Sequence, residues 1–231
     1  SPDHIERHKT LNNYIKSKFK LLKNQSKNNL AFVKKNDFLI SKELKKNNFK
    51  SKIIKVDTKK IENYIKDCDN KFFSTETNKE NLSFIIEILK KLKLNNIFLK
   101  KTIQKFKGLQ YRQQIIFKNK YLTIINDSKS TSFSSSIGVL KANYNIYWLI
   151  GGVHKKGDKF ILPKKYHKNI KAFIYGKNKK FFNKNLNRKV KIENFDNLKD
   201  ALKKVFMLIK KQRLIHKTIL FSPCAASFDN F

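Results

Sequence analysis

A short set of side chains in this 231-residue chain has the type and spacing to handle anions. His4 follows a Pro-Asp pair where a strand should exit into a loop, a place from which an imidazole can face a metal, a phosphate or plain solvent. Lys18 lies four residues after Tyr14, on one helix face, and taken alone a surface lysine is the better account of it. Asn78 and Asn81 stand one turn apart, and Asn78 is also suited to cap a helix. Arg112 offers a guanidinium that can hold a terminal phosphate through two parallel hydrogen bonds. Asp127 suits a strand-end turn. Lys129 and Thr131 sit near the start of the next expected helix, where backbone N–H groups favour a carboxylate. Lys155 follows Gly151-Gly152, with Lys156 as its rival in the same loop, and Ser227 lies close to the start of a final helix.

Those residues need elements to position them. The periodicity predicts a helix over residues 11–22, short strands over 30–33 and 53–56 around a Lys-rich helix at 42–46, and a helix over 79–92. In that last helix Leu82, Ile85, Ile86, Leu89 and Leu92 share one face, and Thr77 to Glu80 has the form of a capping box. A short helix over 99–106 ends at Gly108, where a domain boundary is expected. Beyond it, residues 113–117 and 121–125 read as a hairpin. Strand and helix then alternate: helix 133–141, strand 146–150, strand 172–175, a helix near Lys179, strand 189–192, helix 195–210 and strand 218–221. Such alternation argues for an open, largely parallel α/β sheet, in which ligands gather beyond the carboxyl ends of the strands. Here those ends carry Asn126-Asp127-Ser128-Lys129, Gly151-Gly152 and Ser222-Pro223-Cys224-Ala225.

Composition bounds the rest. With 40% hydrophobic residues the chain can build a core in each of two domains. A net charge of +36 raises nucleic acid as a partner, but the lysines are spread through the chain with asparagine, as an AT-rich coding bias would leave them, and no RNA-binding or helix-turn-helix signature accompanies them. The reading is therefore no nucleic acid and no membrane. Cys68 and Cys224 form neither a disulfide framework nor a metal knuckle, which fits a reducing cytoplasm.

Four stretches carry a resemblance: Ser1-Pro2-Asp3-His4-Ile5-Glu6-Arg7-His8, Gly108-Leu109-Gln110-Tyr111-Arg112, Asn126-Asp127-Ser128-Lys129-Ser130-Thr131, and Ser222-Pro223-Cys224-Ala225-Ala226-Ser227-Phe228-Asp229-Asn230-Phe231. In order and spacing they resemble the Mur ligase family, and the third and fourth its D-glutamate-adding member. The resemblance implies the C-terminal part of a Mur ligase ATPase domain (1–107) followed by a Rossmann-like open α/β C-terminal domain (108–231). It further implies a fragment whose UDP-binding domain, phosphate loop and magnesium-binding Glu lie upstream, and whose closing aromatic contact falls beyond Phe231. The activity implied is ATP-dependent amide formation between UDP-N-acetylmuramoyl-L-alanine and D-glutamate in peptidoglycan synthesis, by an enzyme that is monomeric when complete.

By the same resemblance His4 and a carbamylated Lys18 would hold Mg²⁺, although magnesium prefers oxygen ligands and a lone imidazole is an unusual one. Asn78 and Asn81 would read the adenine of ATP, Asp127 would meet its ribose, and Arg112 its terminal phosphate; the family's usual His before that Arg is here Tyr111. Lys129, Thr131, Lys155 and Ser227 would hold the carboxylates of glutamate. The alternatives are another Mur or folylpolyglutamate-type ligase, and a basic nucleic-acid-binding module.

Overall fold

The computed structural model describes residues 5–66, 68, 70–94, 98–155, 157–211 and 215–225. The chain divides into two compact units, Ser1–Phe106 and Lys107–Phe231.

In the first unit, α1 (Ile5–His8) and α2 (Leu11–Lys23) precede β1 (Leu30–Lys34), α3 (Phe38–Lys46) and β2 (Lys52–Val56). The two strands pair in parallel from Leu30 opposite Lys52 to Lys34 opposite Val56, so α3 is a crossover helix. Asp37 starts it by accepting from the Ile40 N–H at 3.0 Å. The helix is four residues longer at its amino end than expected, because Phe38 and Leu39 continue it while staying exposed, so no buried stripe marks them. Next come α4 (Glu62–Ile65), α5 (Glu76–Lys91) and α6 (Leu99–Lys105). Ile61, Phe73, Leu82, Ile86 and Ile103 form their common core.

Two expectations for α5 are corrected. Its cap is Thr75, whose side chain accepts from the Asn78 N–H, not Thr77. Its buried face is Asn78, Leu82, Ser83 and Ile86, while Ile85 and Leu92 are exposed. The stripe is narrower than hydrophobicity suggested because the packing elements are themselves one-turn pieces, too short to cover a wide face.

The second unit holds β3 (Gln114–Lys118), β4 (Leu122–Asn126), α7 (Phe133–Ala142), β5 (Ile146–Gly151), β6 (Ile170–Tyr175), α8 (Lys179–Leu186), β7 (Lys191–Phe195), α9 (Leu198–Lys211) and β8 (Lys217–Phe221). Its six-stranded sheet runs β3-β4-β8-β5-β6-β7. Only the edge hairpin β3–β4 is antiparallel, with a register shift between Ile115 and Phe117. The expected open α/β sheet is thus observed, with β7 two residues later than anticipated.

Strand β5 is buried along its whole length, as a central strand covered on both faces must be. Trp148 and Ile150 pack with Phe133, Leu140 and Phe182 on one face, and Tyr147 and Leu149 with Phe173, Ala201 and Val205 on the other. Phe133, fully buried, has Trp148 and Phe182 edge-on and Phe181 stacked. The first residue of α7 is thereby locked into the core, and with it the turn that follows β4. Glycine is required at the end of β5, since a Cβ on Gly151 would lie 2.3 Å from the Tyr175 carbonyl oxygen.

Candidate functional site

Asp127, buried just beyond β4, joins the ends of β4 and β8 to the turn that leads into β3. One carboxylate oxygen accepts from the Ser222 hydroxyl at 2.9 Å, and the other from the Gln113 N–H at 3.0 Å. Its backbone N–H donates to the Phe221 carbonyl at 2.7 Å, tying the end of β4 to the end of β8. Burial pushes the carboxyl up to about 6, against the pull of Ser222, of the Gln113 N–H and, most weakly, of the Arg112 guanidinium. Arg112 itself is exposed, on a turn closed by its N–H to the Leu109 carbonyl at 3.2 Å. The Tyr111 carbonyl in turn accepts from the Lys129 N–H at 3.1 Å, so the Arg112 turn is laid against the β4 turn while the Lys129 side chain reaches solvent.

The second meeting point is between the β4 and β5 turns, where Lys155 Nζ donates to Thr131 Oγ1 at 3.0 Å. His154 lies flat on Phe181, with ring centroids 3.7 Å apart and planes 10° from parallel, which holds the backbone next to Lys155 against α8. Lys156 and Ser227 lie outside the described residues.

The start of α7 was expected to bind a carboxylate, and the chain provides one itself. Asp158 accepts from the Phe133 N–H at 2.7 Å, and Ser132 and Ser135 complete a capping box. The first N–H of α7 is thereby already bonded within the chain.

Sequence reading missed a buried hydroxyl cluster. Ser136 touches Ser130, Ser222 and Cys224 through its side chain, and the Trp148 indole donates to the Ser222 carbonyl at 2.8 Å. The run Ser130-Thr131-Ser132-Phe133-Ser134-Ser135-Ser136 was visible, but which of its hydroxyls turn inward depends on the face α7 buries. Burial also raises the Cys224 thiol well above its ordinary value.

In the first unit, Lys18 is exposed with Nζ 5.6 Å from the centre of the Tyr14 ring, as their four-residue spacing implies. Asn78 is buried and its amide donates to the Phe72 carbonyl at 2.7 Å, whereas Asn81 is exposed. That contact makes Asn78 a brace between α5 and the preceding turn, and leaves Asn81 the freer of the two. His4 lies outside the described residues. Among the described residues no three His, Cys, Asp or Glu side chains gather to hold a metal, and Lys18 as an ammonium has no lone pair to offer. These residues do not by themselves fit a divalent cation. In the second unit an ionised Asp127 keeps lone pairs beyond its two bonds, and Arg112 is open to solvent.

Comparison with known proteins bears on both units. Residues 1–101 match the Mur ligase middle domain. Over its whole length the chain is 32% identical to the UDP-N-acetylmuramoylalanine–D-glutamate ligase of Francisella tularensis subsp. novicida, covering 54% of that protein. It is 26% identical to the enzyme of the same name from Rickettsia bellii, covering 56% of it. The chain therefore spans about half the length of the curated relatives it matches. Its fold is shared with MurF from Acinetobacter baumannii, at a TM-score of 0.68 and 13% identity over 96% of this chain and 55% of that one. It is shared too with MurF from Thermotoga maritima, solved with ADP, at 0.64 and 11% over 95% and 56%. With its leading residues matching the middle domain and its entire length aligning with D-glutamate ligases, this chain belongs to the Mur ligase family.

Proposed function

We propose that the chain supplies the later part of the ATP-binding domain, over residues 1–107, and the glutamate-binding domain, over residues 108–231, of a cytoplasmic ligase of peptidoglycan synthesis. That ligase joins D-glutamate to UDP-N-acetylmuramoyl-L-alanine at the expense of ATP. The observation that carries the proposal is an alignment at 32% identity that runs through both units to enzymes of that name.

The geometry is consistent with such a substrate. D-Glutamate must keep its amine free as the nucleophile, so a protein should grip it by its two carboxylates alone. A lysine and a threonine hydroxyl in contact at one sheet edge offer a cation and a rotatable donor to such a group. The resemblance implies that ATP first phosphorylates the alanyl carboxylate and that the amine then displaces phosphate. What this chain adds is orientation and charge neutralisation: Lys155 and Thr131 hold glutamate, Asp127 accepts from a ribose hydroxyl, and Arg112 balances phosphate charge. Lys129 and Ser227 would complete the amino-acid site, and Asn81, with Asn78 as its brace, would line the adenine. By the resemblance His4 and Lys18 would stand where the family binds Mg²⁺, although the described residues do not by themselves fit that ion.

The test is amino-acid selectivity of the complete gene product, with ATP, Mg²⁺ and UDP-N-acetylmuramoyl-L-alanine. Amide product is expected with D-glutamate and not with L-glutamate, L-alanine or L-lysine. A preference for another amino acid, or for another acyl donor, would transfer the chain to a different Mur or folylpolyglutamate-type ligase.

A further inference from the structure

Ser136 lies in the first turns of α7 and is fully buried. Its hydroxyl is 2.5 Å from Ser222 Oγ, 2.7 Å from Ser130 Oγ and 2.9 Å from Cys224 Sγ. Ser222, equally buried, donates to Asp127 at 2.9 Å. Proton counting gives this cluster a direction. An ionised carboxylate only accepts, and a hydroxyl has one proton and two lone pairs. The Ser222 proton must therefore point at Asp127, and the Ser136 proton at Ser222. The lone pairs of Ser136 then face the Cys224 thiol, which has a proton to give, and the Ser130 hydroxyl, which also meets Ser135 Oγ at 2.7 Å. A buried hydroxyl left without partners costs about 1–3 kcal/mol, so a site that merely needed a small side chain would be better served by alanine. Here three side chains from the β4 and β8 turns converge on one hydroxyl, in a chain of donors that ends on a carboxylate.

We infer that Ser136 is a positioning residue for Asp127, its hydroxyl holding the Ser222 proton on the carboxylate and so fixing which acceptor lone pairs Asp127 presents outward. The consequence for nucleotide rests on the proposed role of Asp127 at the ribose. Two side chains at the core of this network could titrate, Asp127 and the Cys224 thiol. Arg112 faces Asp127, and Asp158 acts on Cys224 from the loop after β5.

The test has two arms. In the first, the carboxyl carbon of Asp127 is followed by NMR in the 231-residue chain labelled at aspartate, with the signal assigned by its loss in Asp127→Asn. In Ser136→Ala the Asp127 midpoint is expected to move above its starting value, because a weakened Ser222 bond stabilises the anion less. Ser136→Gly removes the same hydroxyl without adding a second sulfur beside Cys224, so it should move the midpoint the same way and serves if the alanine variant does not fold. An unmoved Asp127 in a folded variant overturns the inference and leaves the proposed function intact. In the second arm, Ser136→Ala in the complete gene product should raise the KM for ATP about tenfold, the equivalent of one buried hydrogen bond, with the KM for D-glutamate nearly unchanged. A shifted Asp127 with an unchanged ATP KM upholds the role of Ser136 and removes the nucleotide role of Asp127.

Discussion

Lys155 is the residue on which the substrate assignment turns. Lys155 touches Thr131, and under the proposed function its loss would leave a substrate carboxylate unpaired, at a cost on the order of 2 to 5 kcal/mol. In the complete gene product Lys155→Ala should accordingly raise the KM for D-glutamate steeply and leave that for ATP almost unchanged, while Lys156→Ala should be nearly silent. Steady-state kinetics with each substrate varied in turn decide this, and a loss confined to ATP would remove Lys155 from the amino-acid site. Asp127 makes a different prediction, about stability. Its carboxyl titrates near 6 in the folded chain against 3.8 for an ordinary aspartate, so the folded state holds the proton more tightly than the unfolded state does. The associated stability is fully present below about 3.8 and is lost as pH rises through about 6, a change of roughly 3 kcal/mol. Urea unfolding between pH 4 and 7 should show this decline, and Asp127→Asn should flatten it across the same window.

At the scale of the element, α7 governs the site, because its first turns carry Phe133 in the core and Ser136 in the hydroxyl cluster, with Thr131 just ahead of them. Removing the Phe133 ring would open a cavity between Trp148, Phe160, Phe181 and Phe182. Phe133→Ala should destabilise the second unit by about 3–5 kcal/mol, read as a lower urea midpoint of its near-ultraviolet signal. The surviving folded fraction should also lose the Lys155–Thr131 contact, because the turn before α7 is held only as firmly as the helix start. A loss well under 1 kcal/mol would mean that the site is anchored by the β4–β8 backbone bonds instead. Most of the elements themselves were legible beforehand. Strands β5, β6 and β8 are runs of apolar residues bounded by turns, and α9 has a strong amphipathic period. The misreadings were local: Thr77 for Thr75 as cap, and a buried face for α5 that includes Ile85 and Leu92, both of which lie open. Periodicity reports which residues could share a face, but only the neighbouring elements determine how wide a face is covered.

For the molecule as a whole, the proposed chemistry requires a phosphate-cradling loop, and the 231 residues contain no Gly-rich segment ending in Lys-Ser or Lys-Thr. The isolated chain should therefore form no amide when supplied with ATP, Mg²⁺, D-glutamate and UDP-N-acetylmuramoyl-L-alanine, as judged by product above a no-protein control. Turnover by the isolated chain would mean that its phosphate contacts are made in some other way.

What the sequence determined by itself was the class of fold, the order of strand and helix in both units, and the family, since these follow from local periodicity and from motifs that are contiguous in the chain. It also led to the expectation that Lys155 and Thr131 lie at one sheet edge, and the two side chains are in contact. Tertiary structure alone decided that Asp158 caps α7, that Asn78 is committed to the Phe72 carbonyl, and that Ser136, Ser222 and Asp127 form one hydrogen-bonded chain. Their partners lie 6 to 95 residues away, and a hydroxyl, amide or carboxylate satisfied at such a distance leaves no periodic mark on the sequence around it.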